Sequence, residues 1–277
     1  MPMPAVRPAE GPVEKLLRHF GLTCLPFARS VSEPGLLRHK TFAEALERLA
    51  LSVESKTAML LTADPGLGKS TLLGTFADGL DKGRSRLVYT ALCSCGPFGL
   101  IGQLATRYGI KPRRSAAQTA QMVLDELGKS DKQEILVLDE AHRLPRESLD
   151  ELRLISNLDF DRTPPFTLIL AGQPPLRERL AEPNLASLWQ RLPLRASLSP
   201  LSDRETVDYL DRRLRAAGSQ ATLFRPGAAD KVFERSRGVP REINNLATAA
   251  LLAAATANKK HVDVSDVEDA VFERENA

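Results

Sequence analysis

Cysteine is nearly absent from this chain. Cys24, Cys93 and Cys95 are the three that 277 residues contain. An odd, sparse set argues against a disulfide framework. Cys93 and Cys95 also lack a second Cys or His pair with which to complete a metal site. Long apolar runs are missing too. The longest, residues 249–257, is alanine-rich, broken by Thr256, and shorter than the roughly 20 residues a membrane span requires. The N-terminus, Met1-Pro-Met-Pro-Ala-Val-Arg-Pro, has no apolar signal core and reads as a flexible leader. No internal repeat or low-complexity tract is present. These absences point to a cytoplasmic chain with no membrane partner. Net charge is only +3, so bulk charge says little. One local absence says more: residues 82–124 carry Lys82, Arg84, Arg86, Arg107, Lys111, Arg113 and Arg114 but no Asp or Glu. Such a segment suits a polyanion-facing surface, or equally a solvated face.

What the chain does contain is a phosphate-binding loop. Residues 63–71 read Ala-Asp-Pro-Gly-Leu-Gly-Lys-Ser-Thr, directly after the apolar run Ala58-Met-Leu-Leu61. In such a loop the segment Asp64-Pro65-Gly66-Leu67-Gly68-Lys69-Ser70-Thr71 surrounds phosphates with the backbone N–H groups of its residues other than the proline. Lys69 reaches the β- and γ-phosphates, and the Ser70 hydroxyl ligates Mg²⁺. The usual opening glycine is replaced by Ala63, which is tolerable where that residue keeps a negative φ.

Strands and helices alternate around this loop. Strands are expected at 58–62, 86–91, 134–139, 166–171 and 194–198, with helices at 70–80, 98–108, 116–127 and 147–158. Helices at 13–20 and 42–53 precede them. That alternation implies a parallel sheet covered on both sides. After Pro200 the strands stop, and helices are expected at 204–217, 226–237, 241–257 and 264–272, with Ser202 and Ser265 as N-caps. The expected division is an N-terminal segment at 1–40, an α/β core at 41–199 and a helical lid at 200–277.

A second acidic motif fits the loop. Glu134-Ile-Leu-Val-Leu-Asp-Glu140 is an apolar strand ending in two carboxylates. The first, Asp139, is placed to hold Mg²⁺, and the second, Glu140, to polarise a water for attack on the γ-phosphate. His142 reads as a catalytic residue or, more simply, as a helix-start or surface histidine. Gln173 ends the next strand and is placed to sense the γ-phosphate. Arg191 and Arg241 stand out by position, one just before the last strand and one opening a C-terminal helix. An arginine donated to a neighbour's phosphate contributes about 10³–10⁵ in rate.

Taken together, these residues resemble an AAA+ ATPase, closest to the ExeA-like group that includes transposition regulators such as TniB, TnsC and MuB-type proteins. The similarity is carried by Phe20-Gly-Leu with Pro26-Phe27, by 42–49, by Leu138-Asp-Glu-Ala-His-Arg-Leu144, by Leu170-Ala-Gly-Gln-Pro-Pro-Leu-Arg177, by Gln190-Arg191, by Pro200-Leu-Ser202 and by Gly238-Val-Pro-Arg-Glu-Ile-Asn-Asn245. The resemblance implies a five-stranded sheet in order 5-1-4-3-2, with ATP between core and lid. It gives Gln173 and Arg241 the two sensor roles and Arg191 the trans-acting finger, with Arg195 as the alternative. Phe27 and His39 would line the adenine pocket. DNA would be contacted near Ser94 and around Lys111, Arg113, Arg114 and Ser115, although Ser94 stands where the group often has Lys.

Three functions follow as expectations. The first is a regulator that assembles with ATP on double-stranded target DNA as a ring or helical filament, recruits a transposase or target-selection adaptor, and disassembles on hydrolysis. The others are an ExeA-like secretion-associated ATPase and a helicase-loader or origin-recognition type switch, including one with protein-only partners. A chain that stops just after the lid favours the first, because the other two would be expected to append further domains.

Overall fold

A computed structural model of the chain describes residues 11–28, 33–91, 97–155 and 164–276. Ser94, Cys93 and Cys95 lie outside the described residues. The chain divides into two compact units, Lys40–Ser199 and Met1–His39 with Pro200–Ala277.

The first unit is a doubly covered parallel sheet. Helix α2 (Lys40–Glu54) leads into β1 (Met59–Thr62), then come α3 (Lys69–Asp78), β2 (Ser85–Ala91), α4 (Pro97–Arg107), α5 (Ala116–Leu127) and β3 (Gln133–Asp139). They are followed by α6 (Arg146–Ile155), β4 (Thr167–Gly172), α7 (Pro175–Leu180), α8 (Ala186–Gln190) and β5 (Leu194–Ser197). The strands lie in order β2-β3-β4-β1-β5, all parallel, the order expected from the sequence. Strands β1 and β4 are buried at every position, as the interior of a parallel sheet requires. Leu60, Leu136, Leu138, Leu168 and Leu170 pack on one face with Leu100, Leu104, Leu149 and Leu188. Each strand boundary falls within one residue of its expected position. The sheet thus places the loop after β1 and the acids after β3 at the same, carboxyl-terminal edge, where ligands of open α/β sheets bind.

The prolines at 174 and 175 do more than end β4. Pro174 caps α7 and Pro175 opens it, since a proline's fixed φ and missing N–H suit a helix start.

The second unit is helical: α1 (Pro12–Phe20), α9 (Asp203–Ala216), α10 (Pro226–Ser236), α11 (Pro240–Thr256) and α12 (Val264–Glu275). Helix α9 opens with a capping box, Ser202 bonding the Glu205 N–H and Glu205 bonding back. The expected cap of α12 is corrected. Asp263, not Ser265, caps it, because Asp266 sits three residues on and returns the bond. The residues before the sheet pack with the C-terminal helices around a shared core of Leu16, Leu22, Phe27, Leu210, Ile243 and Leu251. Buried Arg213 straps them: its Nε donates to the Pro26 carbonyl and its Nη2 to that of Ala28, both at 2.6 Å. Gly238 is required by close approach. Its φ is +72°, and a Cβ there would stand 1.9 Å from the Leu201 carbonyl oxygen.

No helix among the described residues is long and apolar enough to cross a membrane.

Candidate nucleotide site and basic surface

The loop after β1 is built for an anion. Ala63 is buried and its N–H donates to the Gly172 carbonyl at 3.0 Å. It is not among the residues with left-handed backbone, so the missing glycine costs nothing. Gly66 and Gly68 do need their freedom, with φ of +91° and +95°. Helix α3 starts at Lys69 with no side-chain cap and no acid in its first turn. Its first N–H groups are therefore left for a phosphate, at the positive end of the helix dipole.

Across from it, Lys69 is bonded to both carboxylates of the β3 end, to Asp139 and, at 2.6 Å, to Glu140 Oε1. Asp139 is held from further sides. Its Oδ1 also accepts the Glu140 N–H at 2.7 Å, and its Oδ2 accepts the Tyr89 hydroxyl at 2.7 Å. Burial, then the bond to Asp139, pushes the Tyr89 phenol pKa up. The donor set is a hydroxyl at Ser70 and carboxylates at Asp139 and Glu140. These are the hard oxygens that Mg²⁺ prefers, so the residues present fit the ion. Among the described residues no group of three or more His, Cys, Asp or Glu forms a candidate metal cluster.

Glu140 carries a left-handed backbone, φ +55°, at a cost of about 1–3 kcal/mol for such a residue. The turn that follows keeps it there. Arg179 clamps that turn, donating to the His142 carbonyl at 2.6 Å and the Leu144 carbonyl at 2.8 Å. The His142 ring lies between two expected site residues. Its Nδ1 accepts the Gln173 N–H at 3.4 Å, and its Nε2 is 3.8 Å from Glu140 Oε2. An accepting Nδ1 leaves the proton on Nε2, facing Glu140. Burial lowers the His142 pKa, with Glu140 opposing. Loop, acid pair, Gln173 and His142 are thus brought together.

The two candidate finger arginines are not equivalent. β5 runs parallel to β1, Leu194 beside Met59. Arg191 precedes the start of β5, while Lys69 follows the end of β1, so the two stand at opposite ends of the sheet. Arg191 lines a cavity there with Lys56, Phe166, Leu168 and Pro193. Arg195 holds its own chain instead. Its guanidinium lies 3.3 Å over the Trp189 ring and donates to the carbonyls of Leu192 (2.8 Å) and Trp189 (3.1 Å). Arg195→Ala is expected to lower stability by about 2 kcal/mol, read as an earlier urea midpoint. Arg191→Ala is expected to lower steady-state ATP turnover.

The acid-free segment is exposed where charge is concentrated. Arg107, Lys111, Arg113 and Arg114 are all exposed, and none makes an ion pair among the described residues. Buried Thr119 pins the turn from Arg113 to Ser115. Its hydroxyl accepts the Arg113 N–H at 2.9 Å and donates to the Ser115 carbonyl at 2.9 Å. Ser115 is the N-cap of α5. Arg86 lies 4.7 Å over the Tyr108 ring.

In the helical unit, Phe27 is buried edge-to-face on Phe224, with centroids 6.3 Å apart. His39 is buried beside Glu205, and burial lowers its pKa. Arg241 is exposed in the first turn of α11. Sequence reading missed Tyr89, Arg179 and the bridging place of His142. Only strand register and the fold of the 141–143 turn reveal them.

The fold and this site are those of a P-loop ATPase, which uses ATP with Mg²⁺, and residues 52–180, a little under half of the chain, match the family model described as an AAA domain. The chain is 28% identical over 260 residues to General secretion pathway protein A of Aeromonas hydrophila, a match covering 92% of this chain and 47% of that protein. It is also 28% identical over 205 residues to the Holliday junction branch migration complex subunit RuvB of Lactiplantibacillus plantarum, covering 70% of this chain and 52% of that one. The chain thus spans about half the length of the curated relatives it matches. Among solved structures, Cdc6p of Pyrobaculum aerophilum superposes with a TM-score of 0.71 at 19% identity, covering 90% of this chain and 70% of that one.

Proposed function

We propose that this chain is an ATP-driven assembly switch that acts on duplex DNA in the cytoplasm, as a regulator of transposition. The observation that carries the DNA reading is the set of exposed cations Arg107, Lys111, Arg113 and Arg114, none in an ion pair among the described residues, beside a turn at Arg113–Ser115 pinned by Thr119. The similarity to RuvB, whose name places it in a branch migration complex, supports a DNA-linked role. Lys69 and the first turn of α3 hold the phosphates of ATP, and Glu140 orients the attacking water. Ser70 and Asp139 would hold Mg²⁺, which when bound neutralises charge on the β- and γ-phosphates. Gln173 reads the γ-phosphate. By resemblance, Arg241, Phe27 and His39 complete nucleotide recognition. Arg191 is too far along the sheet to serve its own chain's loop, which supports its use on a second copy. ATP then bridges copies in a ring or helical filament, and hydrolysis releases them. A transposase or adaptor would read the assembled end.

A second reading is a secretion-associated ATPase, favoured by the likeness to General secretion pathway protein A along 92% of the chain. Electron microscopy with duplex DNA and a non-hydrolysable ATP analogue separates the two. DNA-threaded rings or filaments support the switch, while assemblies indifferent to DNA favour the secretion reading. Backbone-directed DNA contact is salt-dependent, with a slope of about 0.9 per phosphate contact. The triple change Lys111/Arg113/Arg114→Ala is therefore expected to lower duplex affinity and flatten the plot of log affinity against log salt by about two to three units. An unchanged slope would put DNA on another face.

A further inference from the structure

We infer that Tyr89 is a positioning residue for Asp139, orienting the carboxylate that holds Mg²⁺; this rests on the metal role proposed for Asp139.

The geometry follows from strand register. β2 and β3 are parallel, with Tyr89 beside Val137 and Ala91 beside Asp139. Side chains alternate along a strand, so Tyr89, Val137, Ala91 and Asp139 share one face of the sheet. Ala91, directly opposite the acid, has no donor to offer. Two residues back on an adjacent strand, only a long side chain reaches the carboxylate. The phenol does, its hydroxyl standing 2.7 Å from Asp139 Oδ2. The partner is a carboxylate oxygen, which accepts, so the phenol O–H is the donor.

The bond matters because of what else holds Asp139. Oδ1 accepts Lys69 and the Glu140 N–H. Lys69 is also the cation that a phosphate-binding loop turns toward its ligand. Once it turns, the Glu140 N–H and the Tyr89 hydroxyl still hold the carboxylate, one on each oxygen. Two donors on opposite oxygens fix the plane of a carboxylate, whereas one leaves it free to rotate. Groups that orient a metal ligand in this way are worth about 10–100-fold in metal affinity or activity. Tyr89 is also 39% exposed, far more than its neighbours Val88 and Thr90. Core packing of the ring therefore does not account for a tyrosine at this place, and its hydroxyl has a specific use.

Tyr89→Phe removes that hydroxyl and keeps the ring. The test is binding of a fluorescent ATP analogue by the full chain, titrated with Mg²⁺, beside binding in EDTA and the thermal midpoint. The Mg²⁺ concentration for half-maximal enhancement is expected to rise about tenfold. Binding in EDTA and the midpoint should stay as in the wild type. Unchanged Mg²⁺ dependence would overturn the inference. So would equal weakening with and without Mg²⁺, since that is the mark of a merely structural role. Asp139→Asn separates this failure from that of the underlying reading. If Asp139→Asn shifts the Mg²⁺ titration and Tyr89→Phe does not, Tyr89 alone is misassigned. If Asp139→Asn also leaves it unmoved, the metal role of Asp139 falls, and the inference with it.

Discussion

Lys69→Ala is expected to abolish ATP-dependent DNA binding and to lower ATP turnover by at least about 10²-fold, the scale on which a single charge-stabilising group acts in a closed site. Lys69 is the one residue on which the loop and the acid pair converge. It is bonded to Asp139 and Glu140, and its side chain is only 11% exposed. Its loss removes the charge that meets the phosphates and leaves two adjacent carboxylates facing each other. A phosphate entering that field would meet repulsion in place of attraction. Breaking a partly buried pair of this kind also costs stability, so the variant needs a fold control by circular dichroism. Lys69→Arg supplies a second arm. It keeps the charge balance but lacks the compact ammonium that a narrow phosphate loop admits, so its fold should survive while turnover does not. The assay is fluorescence anisotropy of labelled duplex with and without nucleotide. If Lys69→Ala still binds DNA more tightly with ATP than without, nucleotide has no place in the switch.

Much of this site was legible in the chain because its signals are local. The glycines of the loop at 63–71 mark where the backbone must turn left-handed, and Gly66 and Gly68 do so. The strand before Asp139-Glu140 is an unbroken apolar run because both its faces are covered. What the sequence hid was set by distant partners. Nothing near Pro26 announces that Arg213, 187 residues on, will bond its carbonyl, or that Leu16, Leu22 and Phe27 will share a core with the C-terminal helices. Nothing near Tyr89 announces an acid 50 residues away, since register between strands is a tertiary fact. The cap at Ser265 was misread for a different reason. Asp263 and Ser265 are both capping residues by type, and the reciprocal bond from Asp266 decides between them. Pro174-Pro175 reads as a stop after a strand, yet it also starts α7, because proline ends one element and opens the next with the same fixed φ. Arg191 and Arg195 look alike in sequence. Trp189 distinguishes them by taking the guanidinium of Arg195.

Glu140→Gln should produce long-lived assemblies on DNA, with ATP binding intact and turnover down by about 10²–10⁴-fold, the contribution of a positioned general base. The substitution is nearly isosteric. A glutamine carbonyl can still accept from Lys69, whose other partner, Asp139, is untouched. The left-handed backbone at 140 stays clamped by Arg179 through the carbonyls of His142 and Leu144, so the turn should keep its shape. What is lost is the basicity that draws a proton from water. If ATP bridges two copies and hydrolysis releases them, a chain that binds ATP but cannot cleave it must stay assembled. Dilution into excess unlabelled duplex measures this directly. The Glu140→Gln complex should persist many times longer than wild type in ATP, and match wild type held in a non-hydrolysable analogue. That second comparison matters, because slow release by both shows that cleavage, and not nucleotide exchange, sets the lifetime. A Glu140→Gln complex that falls apart at the wild-type rate would leave hydrolysis without a part in disassembly, whatever its effect on turnover.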